Sequence, residues 1–107
     1  MVSAQYRVNQ ALRPVERALE SVQAQFPDEI VGIRKDFDED WSGELSLYVK
    51  VVLTDEASNP NTLGVVTDKI RRAIDSVVNP EQYGMFAYVN FRSKSEQTEL
   101  KDPAWEL

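Results

Sequence analysis

Acidic side chains crowd one short stretch of the sequence. Asp36, Asp38, Glu39, Asp40 and Glu44 lie close together in an otherwise polar connection. Carboxylate oxygens are the ligands that Mg²⁺ and Ca²⁺ prefer, so this stretch could bind a divalent cation, with Asp38 and Asp40 as candidate ligands. The spacing does not fit an EF-hand loop, because the glycine and the closing glutamate are misplaced. We expect a solvated hairpin loop whose first four acids steer a basic partner toward the protein.

No other set of residues has the types and spacing of a catalytic site. The chain of 107 residues contains neither histidine nor cysteine, which excludes a histidine base, a cysteine nucleophile, a thiolate zinc site and a disulfide. Its four glycines form neither a dinucleotide-binding pattern nor a phosphate-binding loop. We therefore expect a protein that is not an enzyme and that uses no cofactor.

Two segments have the apolar spacing of an amphipathic helix. Apolar residues recur at steps of three or four in 8–26 and again in 63–77. Pro14 interrupts the first stripe, and a proline suits the first turn of a helix better than its interior. The first helix should therefore begin near Asn9–Arg13 or be kinked there.

Three segments, 30–37, 45–53 and 85–92, alternate in the manner of strands. In the first of them, Val31 and Ile33 should point to the same side. The second alternates without a break, which makes it the clearest strand in the chain.

The element order α-β-β-α-β predicts an α+β fold. A hairpin followed by a right-handed crossover gives a three-stranded mixed sheet with the last strand beside the second. Each helix has one apolar stripe, so both should cover one sheet face, in a two-layer sandwich that is a variant of the ferredoxin-like arrangement. We expect residues 1–92 to form this single domain and 93–107 to form a polar C-terminal tail.

The second sheet face carries more apolar side chains than a water-facing sheet usually does. Alternation places there Tyr48, Val52, Phe86 and Tyr88, together with Lys50, Asn90 and Arg92. The tail ends in two large apolar residues, Trp105 and Leu107, which could either fold back onto this face or anchor in a partner. Partner contacts are therefore predicted at Tyr48, Val52, Phe86, Tyr88, Arg92, Trp105 and Leu107.

Single-stranded RNA is a second possible ligand for this face. Tyr48, Phe86 and Tyr88 could stack bases, while Lys50 and Arg92 contact phosphates. The net charge of −6, from 12 basic and 18 acidic residues, makes nucleic acid an unfavourable partner.

Two resemblances bear on these expectations. The α-β-β-α-β order with an acidic first hairpin, over roughly residues 10–92, resembles the cytoplasmic domain of cation-efflux transporters, whose zinc-binding histidines this chain lacks. The stretch 88–97 followed by Asp102-Pro103-Ala104-Trp105 is similar to short bacterial proteins encoded beside a larger partner, including toxin–antitoxin pairs. That similarity implies that this acidic chain is the regulatory or neutralising member of such a pair.

Taken together, the residues predict a non-catalytic protein-interaction module, antitoxin-like or regulatory, that also forms a dimer through the second sheet face. A small-ligand or divalent-metal domain using the acidic hairpin is the alternative. Met1–Arg7 lacks the charged start and apolar run of a secretory signal, so a cytoplasmic location is expected.

Overall fold

A computed structural model of the chain describes residues 3–107. Its helices and strands follow the order α1 (Ala4–Gln25), β1 (Ile30–Glu39), β2 (Leu45–Leu53), α2 (Leu63–Val77), β3 (Phe86–Ser93) and α3 (Lys94–Leu100). Two 3₁₀ turns, Pro80–Tyr83 and Pro103–Trp105, precede β3 and follow α3.

The three strands form one mixed sheet in the order β1-β2-β3. Strand β1 pairs antiparallel with β2, and β3 pairs parallel with β2. A parallel pair needs a crossover connection, which α2 provides. The predicted α+β class, the element order up to β3 and the central position of β2 are confirmed.

The core lies between the sheet and the two long helices. Leu47, Val49 and Val51 of β2 are completely buried, which accounts for the unbroken alternation of this strand. Burial of each such side chain contributes about 1.5–3 kcal/mol. The helices contribute their predicted apolar stripes, of which the most buried members are Ala11, Val15, Leu19, Val22, Ile70 and Ile74.

Helix α1 begins earlier than the sequence predicted. It starts at Ala4, where the Ser3 side chain accepts a hydrogen bond from the Tyr6 amide at 3.1 Å, and it continues through Pro14. Of the two alternatives that the sequence left open, a start near Asn9–Arg13 is therefore wrong. The proline is tolerated because it lies on the exposed face, where solvent can satisfy the carbonyl that loses its helical donor. Within residues 3–107, no helix combines the length and the apolar character needed to cross a bilayer.

A bulge changes the faces at the start of β1. Ile30 pairs with Leu53 and Gly32 with Val52, so Val31 is an extra residue in the ladder. Val31 is consequently exposed, while Ile30 is buried. The prediction that Val31 and Ile33 share a side is wrong, because alternation cannot register an inserted residue.

Helix α3 was not expected from the sequence. The Ser93 hydroxyl accepts from the Glu96 amide at 3.1 Å, and the Glu96 carboxylate accepts from the Ser93 amide at 3.2 Å. This reciprocal capping box satisfies two amides that the helix itself cannot bond. Helix α3 packs on β2 and β3.

Candidate functional site

The sheet face opposite α1 and α2 carries the side chains that alternation assigned to it. The register places Tyr48 beside Tyr88 near the β1–β2 hairpin, and Val52 beside Arg92 at the other end. These two ends differ in what covers them. The last residues of the chain lie over the Val52 end, and the hairpin end remains accessible.

Residues 102–107, hereafter the C-terminal clasp, fold back over this face. Trp105 is buried, and the guanidinium carbon of Arg92 lies 4.4 Å from the centre of its ring. Val52 beneath is only 2% exposed. Arg92 also approaches the Asp102 carboxylate at 3.6 Å. Three residues predicted to contact a partner, Val52, Arg92 and Trp105, are thus engaged within this chain.

Two further cations hold the backbone of the clasp. Arg34 Nη1 donates to the carbonyl oxygens of Pro103 at 2.8 Å and Glu106 at 3.1 Å. Lys50 Nζ donates to the carbonyl oxygen of Ala104 at 3.2 Å. Charged donors make stronger hydrogen bonds than neutral ones, so the clasp is fixed mainly through its main chain. Arg34 reaches the clasp from β1, and nothing in the sequence indicated its acceptors.

Leu107 completes the clasp above the bulge in β1. Its side chain lies against Gly32, where an added Cβ would approach Leu107 Cδ1 to 2.5 Å. A side chain at position 32 would therefore require Leu107 to move. Leu107 is nevertheless 65% exposed, so it covers the strand without being enclosed.

At the hairpin end, one carboxylate organises the loop. Asp40 accepts from the Ser42 hydroxyl at 2.6 Å, the Ser42 amide at 2.9 Å and the Glu44 amide at 3.1 Å. It also accepts from the Ser46 hydroxyl at 3.2 Å and the Tyr88 hydroxyl at 2.9 Å. The Ser42 hydroxyl and these other donors favour the ionised form and hold the pKa of Asp40 far below its usual value. The hydrogen bond that Tyr88 donates to Asp40 raises the pKa of Tyr88.

Aromatic side chains lie at this end of the sheet and in the adjoining hairpin. The rings of Tyr48 and Tyr88 stack with their centres 5.4 Å apart. Phe86 pairs with Ser46 at the start of β3 and is 59% exposed. Trp41, next to Asp40, is 93% exposed. We call Trp41, Tyr48, Phe86 and Tyr88 the aromatic surface.

Trp41 was the functional candidate that the sequence interpretation missed. The signal was present, because a tryptophan is the only large apolar residue in the polar connection 38–44. Hairpin loops seldom need such a residue for folding, and Trp41 does not belong to the hydrophobic core.

The four predicted steering acids have different surroundings. Asp36 bonds to Arg34 at 3.1 Å and to Lys50 at 3.4 Å, and Asp40 is buried in its network. Asp38 and Glu39 are exposed, as is Glu44. In residues 3–107, no three histidine, cysteine or acidic side chains come together in a way that could hold a metal ion.

The cations that an RNA ligand would need are already occupied. Lys50 bonds to Asp36 and to a clasp carbonyl, and Arg92 bonds to Gln97 and stacks on Trp105. The tyrosines stack on each other. Lys50 and Arg92 are therefore not free to contact phosphates beside the aromatic rings.

Comparison with protein families, curated proteins and solved structures found no match for this chain.

Proposed function

We propose that this protein is a non-catalytic interaction module that binds a basic protein through the aromatic surface. The observation that carries the proposal is Trp41, a tryptophan 93% exposed at the tip of a hairpin. Tryptophan is the residue type most enriched among binding hot spots, because it buries a large area on contact.

The hairpin presents Trp41 on a preorganised backbone. The five hydrogen bonds to the neighbouring Asp40 fix the turn on both sides of the tryptophan. One of them, from Tyr88, ties the loop to β3. A partner therefore binds a loop that is already ordered, which avoids much of the entropy loss that weakens binding by flexible loops.

The charges around the aromatic surface favour a basic partner. Asp38, Glu39 and Glu44 are exposed beside it, while Asp36 is neutralised by cations of the sheet. Exposed acids of this kind accelerate encounter with a positively charged surface and lose that effect as salt rises.

An antitoxin-like role, with a nucleic-acid-binding toxin as the basic partner in a bacterial cytoplasm, is the narrower form of the proposal. The exposed acids Asp38, Glu39 and Glu44 and the sequence resemblance support this role. Since Val52 lies under the clasp and Trp105 is a buried residue of the clasp, the proposed partner contacts shift from these two residues toward the hairpin, with Trp41 replacing them.

The experiment starts with capture of partners from host cells by the wild-type chain and by Trp41→Ala. Any protein retained only by the wild type is purified and its binding is measured by calorimetry. We expect Trp41→Ala to raise the dissociation constant by about 10- to 100-fold, and Phe86→Ala by about tenfold.

Val65→Ala is the matched control, because Val65 is an apolar residue of α2 with the same exposure as Phe86, 59%. It should leave the dissociation constant unchanged. Equal binding by Trp41→Ala and the wild type would exclude the aromatic surface as the docking site.

A further inference from the structure

We propose that the C-terminal clasp exchanges between two copies of this chain, so that each clasp docks on the sheet of the other copy. The exchange takes place at the covered end of the sheet face, which is separate from the aromatic surface near the hairpin. We call the surface under the clasp, around Val52 and Arg92, the groove. Residues 102–107 occupy this groove in the structure.

The residues of the sheet that bind the clasp could bind the clasp of a second copy equally well. Arg34 and Lys50 bind main-chain carbonyls of the clasp, and Arg92 lies over the Trp105 ring. None of these contacts depends on the clasp belonging to the same molecule. Exchange of an identical element therefore recreates every contact, which is why domain swapping is a low-cost route to a dimer.

Backbone strain at the hinge of the clasp favours detachment of the clasp from its own sheet. Lys101, which joins α3 to the clasp, has φ 52° and ψ 37° and is the one non-glycine residue with positive φ in residues 3–107. A side chain in this left-handed region is strained by its Cβ. If α3 continued as a helix through Lys101, the strain would disappear and the clasp would leave its own sheet.

Two features keep the exchange weak. The clasp is short, and in the closed form its own groove is always adjacent, at a high effective concentration. Relief of one strained residue is the main gain of opening. We therefore expect a monomer at low concentration and a measurable dimer only toward about 1 mM.

A complementation experiment with full-length chains tests the exchange. The chain has two tryptophans, Trp41 and Trp105, so Trp41→Phe leaves Trp105 as the sole emitter. The donor is Trp41→Phe/Arg92→Ala, whose own groove is defective. The acceptor is Trp41→Phe/Trp105→Ala, which has an intact groove and no tryptophan.

Mixing should dock the donor's Trp105 on the acceptor's Arg92. We expect a saturable shift of tryptophan emission to shorter wavelength and a heterodimer mass in light scattering. The matched control acceptor also carries Arg92→Ala and should give no shift. If Arg92→Ala prevents folding, Arg34→Ala replaces it in donor and control. No shift at about 1 mM acceptor, or an equal shift with the control, overturns the proposal.

Hinge variants give a second measurement. Lys101→Gly removes the strain of the closed form, and Lys101→Val increases it, because a β-branched residue tolerates positive φ worst. Sedimentation equilibrium should show a dimer dissociation constant about tenfold lower for Lys101→Val than for Lys101→Gly. Equal constants, or two strict monomers at about 1 mM, would contradict the exchange.

Discussion

Arg92 lies with its guanidinium carbon 4.4 Å from the centre of the Trp105 ring. The same side chain bonds to Gln97 of α3 at 3.0 Å and approaches Asp102 at 3.6 Å. One cation of β3 thus contacts both the last helix and the clasp. The sheet face that the sequence left open is covered at this end by the chain itself.

Trp105→Ala should lower the free energy of unfolding by about 2 kcal/mol, from lost apolar burial and the lost cation–π contact. The loss cannot exceed the free energy with which the clasp docks, because the clasp can detach without unfolding the core. Urea denaturation followed by far-ultraviolet circular dichroism measures it. Trp41→Ala is the control and should change stability by less than about 0.5 kcal/mol. Similar losses in both variants would show that Trp105 is not held by the sheet.

The two tryptophans should differ in their access to solvent quenchers. Trp41 is 93% exposed and Trp105 only 8%. In Trp41→Phe, where Trp105 alone emits, acrylamide should quench several-fold less than in Trp105→Phe, where Trp41 alone emits. Stern–Volmer plots give the comparison directly. Equal quenching constants would mean that the clasp spends much of its time off the sheet.

Ionised Asp40 should make stability fall in acid. Its pKa is lower in the folded than in the unfolded chain, where an aspartate titrates near about 4. The stabilisation is therefore complete above that value and is lost as the pH falls through the lowered pKa. Asp40→Asn should be less stable at neutral pH and lose less stability between about pH 6 and pH 2 than the wild type.

Thermal denaturation across that pH range checks the prediction. Asp38→Asn is the control, because Asp38 lies on the same strand end but is exposed and accepts one hydrogen bond, from the Glu39 amide. It should follow the wild-type pH profile. A wild-type profile for Asp40→Asn as well would show that the network does not depend on the charge.

Gly32 and Leu107 should be energetically coupled. An alanine Cβ at position 32 would collide with the end of the Leu107 side chain, which can move aside and give up its contact. Gly32→Ala should therefore cost about 1 kcal/mol or less in the wild type and nearly nothing in a Leu107→Ala background. A double-mutant cycle of unfolding free energies measures the coupling. Additive effects would place Leu107 away from the strand.

The sequence alone determined the three-stranded sheet and the buried face of β2. Leu47, Val49 and Val51 alternate because a strand has a period of two, and the stripe containing Val15 and Leu19 repeats because a helix has a period of 3.6. These signals are local, so no knowledge of distant contacts is needed to see them. The face assignment of Tyr48 and Tyr88 followed from the same periodicity and is confirmed.

Only the tertiary structure decided what each polar group does. The Tyr88 hydroxyl meets Asp40 across 48 positions of sequence, and Arg34 meets the Pro103 carbonyl across 69. Such partners are chosen by how the sheet and the returning chain pack, and no periodicity encodes that choice. The bulge at Val31 and the exposure of Trp41 have the same origin, because an inserted residue or an uncovered side chain is defined only by its neighbours in space.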